Sequence, residues 1–336
     1  LKRGRTPGEK LVYFMPTTSG SCRFSQYNVF LRKLIEKHRI ENVALLTLTA
    51  ENGYAGLRMG DLVHVLHGVV AADVLEDVRN ALSVLARDRE AAAAEFERCF
   101  ADIRTAFSRR RGVMRALRAA AARFAAIPLR LNLEEARTVL LLGEIFVRRD
   151  EFSLQDLLER LRQRDIVVRK APVMEWLQYC DYGVSSGFMA ARFSARERLE
   201  FRAKLLVQRF IERRVKRVLA ASGLVRYDPI NVRDLIARGR TFFDERFLGE
   251  PILVAGAFLR EVPHHVDGAI SIGPFGCMPS RVVEAVLSPF AREHTLPLLT
   301  VETDGNAFPQ ILEARIEAFC LQVERLHEAR LRSGRG

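Results

Sequence analysis

Apolar runs alternate with amphipathic stretches along this chain, and that alternation predicts an α/β fold. Lys10 to Met15 reads as a strand and Pro16 to Cys22 as a loop of small residues. A helix follows, with Phe24, Phe30, Leu31, Leu34 and Ile35 on its stripe and Ser19 or Ser21 as its cap. Val43 to Leu48 is the next strand and completes a β-α-β unit. From Met59 to Ala126 the chain is rich in Ala, Leu and Arg and poor in proline, with Val78, Leu82 and Leu85 in period, which predicts several packed helices. Ile127-Pro128 ends that region, so the expected division is residues 1–127, an N-terminal α/β domain with a helical region, and 128–336, a C-terminal α/β domain.

The second part repeats the alternation. Val139 to Val147 is a strand-like run interrupted by Gly143. Ser153 is placed to cap a helix through Leu154, Leu157, Leu158 and Leu161, and Ile166 to Val168 begins another strand. Ser194 to Ala221 is an Arg-rich amphipathic helix. The remaining strands are expected at Ile252 to Phe258, Ala269 to Ile272 and Leu298 to Glu302, with a last helix from about Ala307 to Leu331. Strands and helices at this spacing predict parallel sheets covered on both faces.

Composition narrows the class. With 336 residues, 49% apolar and 28% charged, the chain is of ordinary globular type and long enough for two domains. Its charge of +12, from 53 Lys and Arg against 41 Asp and Glu, invites a nucleic-acid reading. The arginines are scattered through helical segments such as Arg109 to Arg123 and Arg196 to Arg217, without interleaved exposed aromatics, so a solvated basic surface is preferred. The turn Arg109-Arg-Arg111-Gly is read in the same way. No apolar run reaches bilayer length and no signal-peptide pattern opens the chain, so a cytoplasmic protein with no membrane contact is expected. Leu1 is not an initiator methionine, which suggests a piece of a longer polypeptide.

The candidate chemistry lies in the cysteines, which structural disulfides do not explain in such a setting. Cys99 falls on a stripe with Phe96, Phe100, Ile103 and Phe107, and Cys320 on one with Leu312, Ile316, Phe319, Val323 and Leu326, so both read as core residues. Cys22, Cys180 and Cys277 each follow a strand-like segment and are expected in loops. Cys277 lies in Ser271-Ile-Gly-Pro-Phe-Gly-Cys-Met-Pro279, between a strand and a helix opening at Pro279, where a helix N-terminus lowers a thiol pKa. A buried cysteine in a tight turn is the plainer alternative. Trp176 and Tyr179 leave Cys180 open to a packed-core reading. Three thiolates converging on one crevice would suit an iron–sulfur cluster. No phosphate loop, Gly-x-Gly-x-x-Gly, His-Glu-x-x-His or Cys-x-x-Cys is present, and His264-His265 reads as a surface pair.

Gly268-Ala-Ile-Ser-Ile-Gly-Pro-Phe-Gly-Cys-Met-Pro279, Leu296 to Asp304 and Glu313 to Phe319 resemble the 2-hydroxyacyl-CoA dehydratase subunit family. Within it, the likeness is to the dehydratase-like region of large CoA-substrate-specific enzyme activases and to double-cubane cluster proteins. Ser21-Cys-Arg-Phe-Ser-Gln-Tyr27, Gly143 to Arg148 and Glu175-Trp176 extend the likeness along the chain. The family's first motif usually reads Gly-Pro-Cys-Arg-Phe-Gly, so Ser21 and Ser25 depart from it while keeping the thiol. The resemblance implies two Rossmann-like parallel-sheet domains with helical insertions and a [4Fe-4S] or double-cubane cluster in the cleft between them. Cys22 and Cys277 carry over as cluster ligands, with Cys180 as a third candidate. It also implies a homo- or heterodimer that receives low-potential electrons from an ATP-dependent activase and acts, in anaerobic metabolism, on a small or CoA-linked substrate. The alternatives are a non-catalytic electron-relay or assembly module of a larger activase, and a cluster-free α/β binding domain with a basic surface.

Overall fold

In the computed structural model the short apolar runs form an α/β fold with two small parallel sheets. The structure describes residues 6, 8–15, 22–47, 58–154, 156–189, 194–306 and 309–333. β1 (Leu11–Phe14) and β2 (Val43–Leu46) pair in parallel, from Leu11 opposite Val43 to Phe14 opposite Leu46, and α1 (Ser25–Lys37) joins them. This is the β-α-β unit the sequence predicts. The proposed caps Ser19 and Ser21 lie outside the described residues.

The long helical region divides into α2 (Met59–Leu85), α3 (Arg89–Ser108) and α4 (Val113–Ala125). Asp88 starts α3 by accepting the Ala91 N–H at 2.9 Å. Val78, Leu82, Phe96, Ile103, Leu117 and Phe124 pack together, and Ile211, Val215 and Leu219 of α8 (Ala195–Ala220) complete that core. One apolar core therefore crosses residue 127.

β3 (Arg137–Gly143), β4 (Ile166–Lys170), β5 (Gly268–Pro274) and β6 (Leu298–Thr303) form the larger sheet in the order β4-β3-β5-β6, all parallel. Val139, Leu141, Ile270 and Ile272 face α6 (Leu157–Gln163) and α12 (Gln310–Arg332). Leu140, Leu142 and Ala269 face α9 (Val232–Gly239), α10 (Glu250–Glu261) and α11 (Met278–Glu293). Both faces are covered, as parallel sheets require.

Two expected elements need correction. Ile252 to Phe258 is not a strand but the middle of α10, and each of its seven residues is buried. A continuous apolar run lacks the periodicity that separates a buried helix from a buried strand. The helix start was visible in Glu250-Pro251, an acid and a proline in the first turn. A Cβ on Gly256 would overlap the Leu235 carbonyl, so that glycine allows α10 to lie against α9. Ser153 does not cap the helix through Leu157. It sits inside the short α5 (Glu151–Leu154), with its N–H and hydroxyl donating to Asp150 Oδ2 at 2.8 and 2.6 Å, and Asp156 precedes α6.

Candidate functional site

The order of the larger sheet fixes where a crevice opens. From β3 the chain crosses to β4 over the α6 face, and from β5 it crosses to β6 over the α11 face. Connections leaving neighbouring strands over opposite faces part at the strands' carboxyl ends, which is where open α/β sheets bind ligands. Glu144 follows β3 at this place, and Cys277 follows β5.

Backbone geometry holds the β3 side tightly. Gly143 has φ +104°, and a Cβ there would overlap the Ile272 carbonyl oxygen, so the turn against β5 admits only glycine. Glu144 donates its N–H to Ile272 O at 2.9 Å, and its Oε2 accepts from Phe146 N and Val147 N at 3.1 and 2.8 Å. Arg148 folds back, buried, and donates from Nη1 to the Gly143 carbonyl at 2.8 Å. Glu250, in the first turn of α10, accepts the Ile145 N–H at 3.2 Å.

On the β5 side Cys277 occupies the N-cap position of α11, with its N–H donating to the Pro274 carbonyl at 3.0 Å. Glu302 of β6 accepts the Gly276 N–H at 2.6 Å and the Arg281 guanidinium at 2.6 Å. The smaller β-α-β unit reaches this same turn, because Arg23 donates from Nη2 to the Gly276 carbonyl at 2.9 Å. The residue before it, Cys22, interacts electrostatically with Cys277, Glu250 and Glu144. Two of the expected cysteines thus flank the Arg23–Gly276 hydrogen bond, one on each side, within electrostatic reach of each other.

The electrostatics of Cys22 differ from expectation. Burial is the main influence and pushes its thiol pKa up; the negative charges around it act the same way, against the Phe24 N–H. The lowering expected beside a helix N-terminus is outweighed at Cys22. Burial also raises Glu250 and Glu175 to about 7, although the Arg148 charge opposes the shift at both. Glu250 lies within electrostatic reach of Cys22, whereas Glu175 lies on the Arg148 side, on the helix that carries Cys180. Glu250 was missed because its helix was read as a strand.

Cys180 is placed differently from expectation. It lies on α7 (Val173–Ser185) rather than in a loop, because Asp73 of α2 accepts the Val173 and Met174 N–H groups at 2.9 and 3.0 Å and starts the helix just after Pro172. Burial pushes its thiol up to about 12, with Asp181 adding and Lys204 opposing. The Trp176 and Tyr179 rings pack 5.4 Å apart on the same helix, and the Tyr179 hydroxyl accepts the Gly249 N–H. Cys99 and Cys320 are each 1% exposed, on α3 and α12, as their stripes predict. His264 and His265 lie on an exposed turn. Among the described residues no group of three or more His, Cys, Asp or Glu side chains is arranged to hold a metal ion.

The donor chemistry fits a cluster in part. Cys22 and Cys277 carry sulfur, the donor type that iron–sulfur sites use. Further ligands are not gathered around this pair among the described residues. No helix among them is long and apolar enough to cross a membrane. No family model matches the sequence, and no curated protein and no solved structure matches it.

Proposed function

We propose that this chain is an iron–sulfur redox protein of the 2-hydroxyacyl-CoA dehydratase type, in which Cys22 and Cys277 hold the cluster at the carboxyl end of β5. The observation that carries this reading is the pairing of those two thiols across the Arg23–Gly276 hydrogen bond, at the sheet's switch point. In the same reading the smaller β-α-β unit and the four-stranded sheet are two Rossmann-like units facing one cleft. The remaining ligands come from outside this chain, in keeping with a homo- or heterodimer. An ATP-dependent activase, as a separate chain or another part of the polypeptide, supplies the electrons.

When bound, a cluster supplies one-electron transfer at low potential. The chain's own residues prepare the surroundings. Glu250, raised by burial to about 7 and within electrostatic reach of Cys22, is suited to hold or release a proton beside that thiol. Arg148 fixes the Gly143 carbonyl and its charge counters that acid.

Iron and acid-labile sulfide analysis of protein purified without oxygen tests the reading, followed by a mediator titration monitored by electron paramagnetic resonance. The expected result is a brown protein reduced only by a very low-potential donor. A colourless, iron-free protein, or a cluster fully reduced by NADH without an ATPase partner, defeats it.

A further inference from the structure

Between α7, the first half of α8 and α9 lies a cavity of about 800 Å³, in the size range of small-molecule sites. Gln208 lines it and is 2% exposed, yet its Nε2 has no hydrogen-bond partner. A buried amide donor left without an acceptor costs about 1–3 kcal/mol, so the site gains by admitting one. Around the opening stand Arg198, Arg202 and Arg209 of α8 and Arg233 of α9. Among the described residues none of these four guanidinium groups makes an ion pair or hydrogen bond. This sets them apart from Arg149, Arg160 and Arg260, which each meet carboxylates.

Among the described lining residues the one acid is Asp181, whose Oδ1 accepts from Lys204 Nζ at 2.6 Å, so four arginines face a single carboxylate that already has a cation beside it. Planar guanidinium forks suit phosphate oxygens, and several together suit a ligand with more than one negative charge. The rest of the wall is not built for a small inorganic ion. Tyr182 and Phe201 offer aromatic surface and Val232 an aliphatic one, in a volume far larger than a phosphate requires. A heterocycle can stack on the rings while its phosphates meet the arginines.

We propose that this cavity binds a nucleotide carrying at least two phosphate groups, with Arg198, Arg202, Arg209 and Arg233 on the phosphates and the Gln208 amide donating to an acceptor on the ligand. The cavity shares no lining residue with the cysteine crevice, so the proposal stands apart from the iron–sulfur reading.

Isothermal titration of the full chain with ADP, AMP, adenosine and pyrophosphate at low ionic strength tests it. ADP is expected to bind about tenfold more tightly than AMP, pyrophosphate more weakly than ADP, and adenosine not measurably. The double variant Arg202→Gln/Arg209→Gln changes only exposed side chains and should weaken ADP at least about tenfold with an unchanged melting temperature. Gln208→Met should weaken it less. Cys277→Ser should bind ADP as the unaltered chain does, whether or not it holds iron. Failure of ADP to bind at millimolar concentration overturns the proposal. So does pyrophosphate binding as tightly as ADP, which would make the cavity a bare anion trap, or indifference of ADP binding to the arginine substitutions.

Discussion

The two parallel sheets pair by the same rule and differ in what lies over them. In β3 every residue from Thr138 to Gly143 is buried, and in β5 Ala269, Ile270 and Ile272 are wholly inaccessible. In β1 all of Leu11, Val12, Tyr13 and Phe14 are exposed, at 44 to 56%. Apolar residues dominate the strands of both sheets, but among the described residues only the larger sheet has helices on both faces. Two strands with one helix bury too little to be stable alone, so the smaller unit depends on its links to the rest. The Arg23–Gly276 hydrogen bond is such a link, and it sits beside the two thiols. The candidate site therefore joins the rigid sheet to a lightly covered one.

The largest expected effect comes from cutting the comparison at its join. Cys22→Ser and Cys277→Ser should each remove most of the iron from anaerobically prepared protein, while circular dichroism stays that of the unaltered chain. If both variants keep full iron and the same visible spectrum, the two units do not share a cluster.

Stability should separate the sheets next. Gly143→Ala sets a methyl group against the Ile272 carbonyl at a positive φ, and is expected to cost roughly 3 kcal/mol or more in urea unfolding. Ile270→Ala, in the same sheet, should cost about 2–5 kcal/mol. Val12→Thr on β1 should change the same transition by less than about 0.5 kcal/mol. A Val12 effect as large as that of Ile270 would mean the smaller sheet is as well packed as the larger.

Much of this contrast was legible in the sequence. The apolar runs at Val43 and Ala269 are too short for helices and so read as strands, and the stripes of Cys99 and Cys320 repeat the helical spacing. Cys277 between a strand and Pro279 was legible for a local reason, since Gly, Pro and chain direction fix that turn. The cover over each sheet was not legible, because burial depends on partners far away in the chain. The same limit hid α10, whose buried run from Ile252 to Phe258 looks like a strand until Glu250-Pro251 is read as a helix start. It also hid the α7 position of Cys180, which Asp73 sets from about a hundred residues away.

A pH titration tests the buried acids that face Arg148 on the larger sheet's side. Glu175 is buried and its folded pKa, about 7, stands above the ordinary 4.5, so the folded protein keeps a proton that the unfolded chain has released. Its contribution to stability is fully present below about pH 4.5 and is lost as pH rises towards 7. Glu250 shifts in the same direction. Urea midpoints of the unaltered chain should fall across that window, by roughly 1–3 kcal/mol in unfolding free energy. Glu175→Gln should flatten the fall. A midpoint that rises from pH 5 to 7 in the unaltered chain, with Glu175→Gln indifferent, would contradict the burial of that acid.

The smallest effect belongs to the cysteine that stands apart. Cys180 lies on α7 among Tyr179, Asp181 and Lys204, and its thiol is held protonated by burial, far from the thiolate form that binds iron. Cys180→Ala removes one sulfur and should cost about 1 kcal/mol, as should Cys99→Ala and Cys320→Ala in their helices. Iron content and the visible spectrum should stay unchanged in all three. The measurement is decisive for the position of the site. Loss of iron from Cys180→Ala, with melting otherwise normal, would move the cluster off the Cys22–Cys277 pair and towards α7.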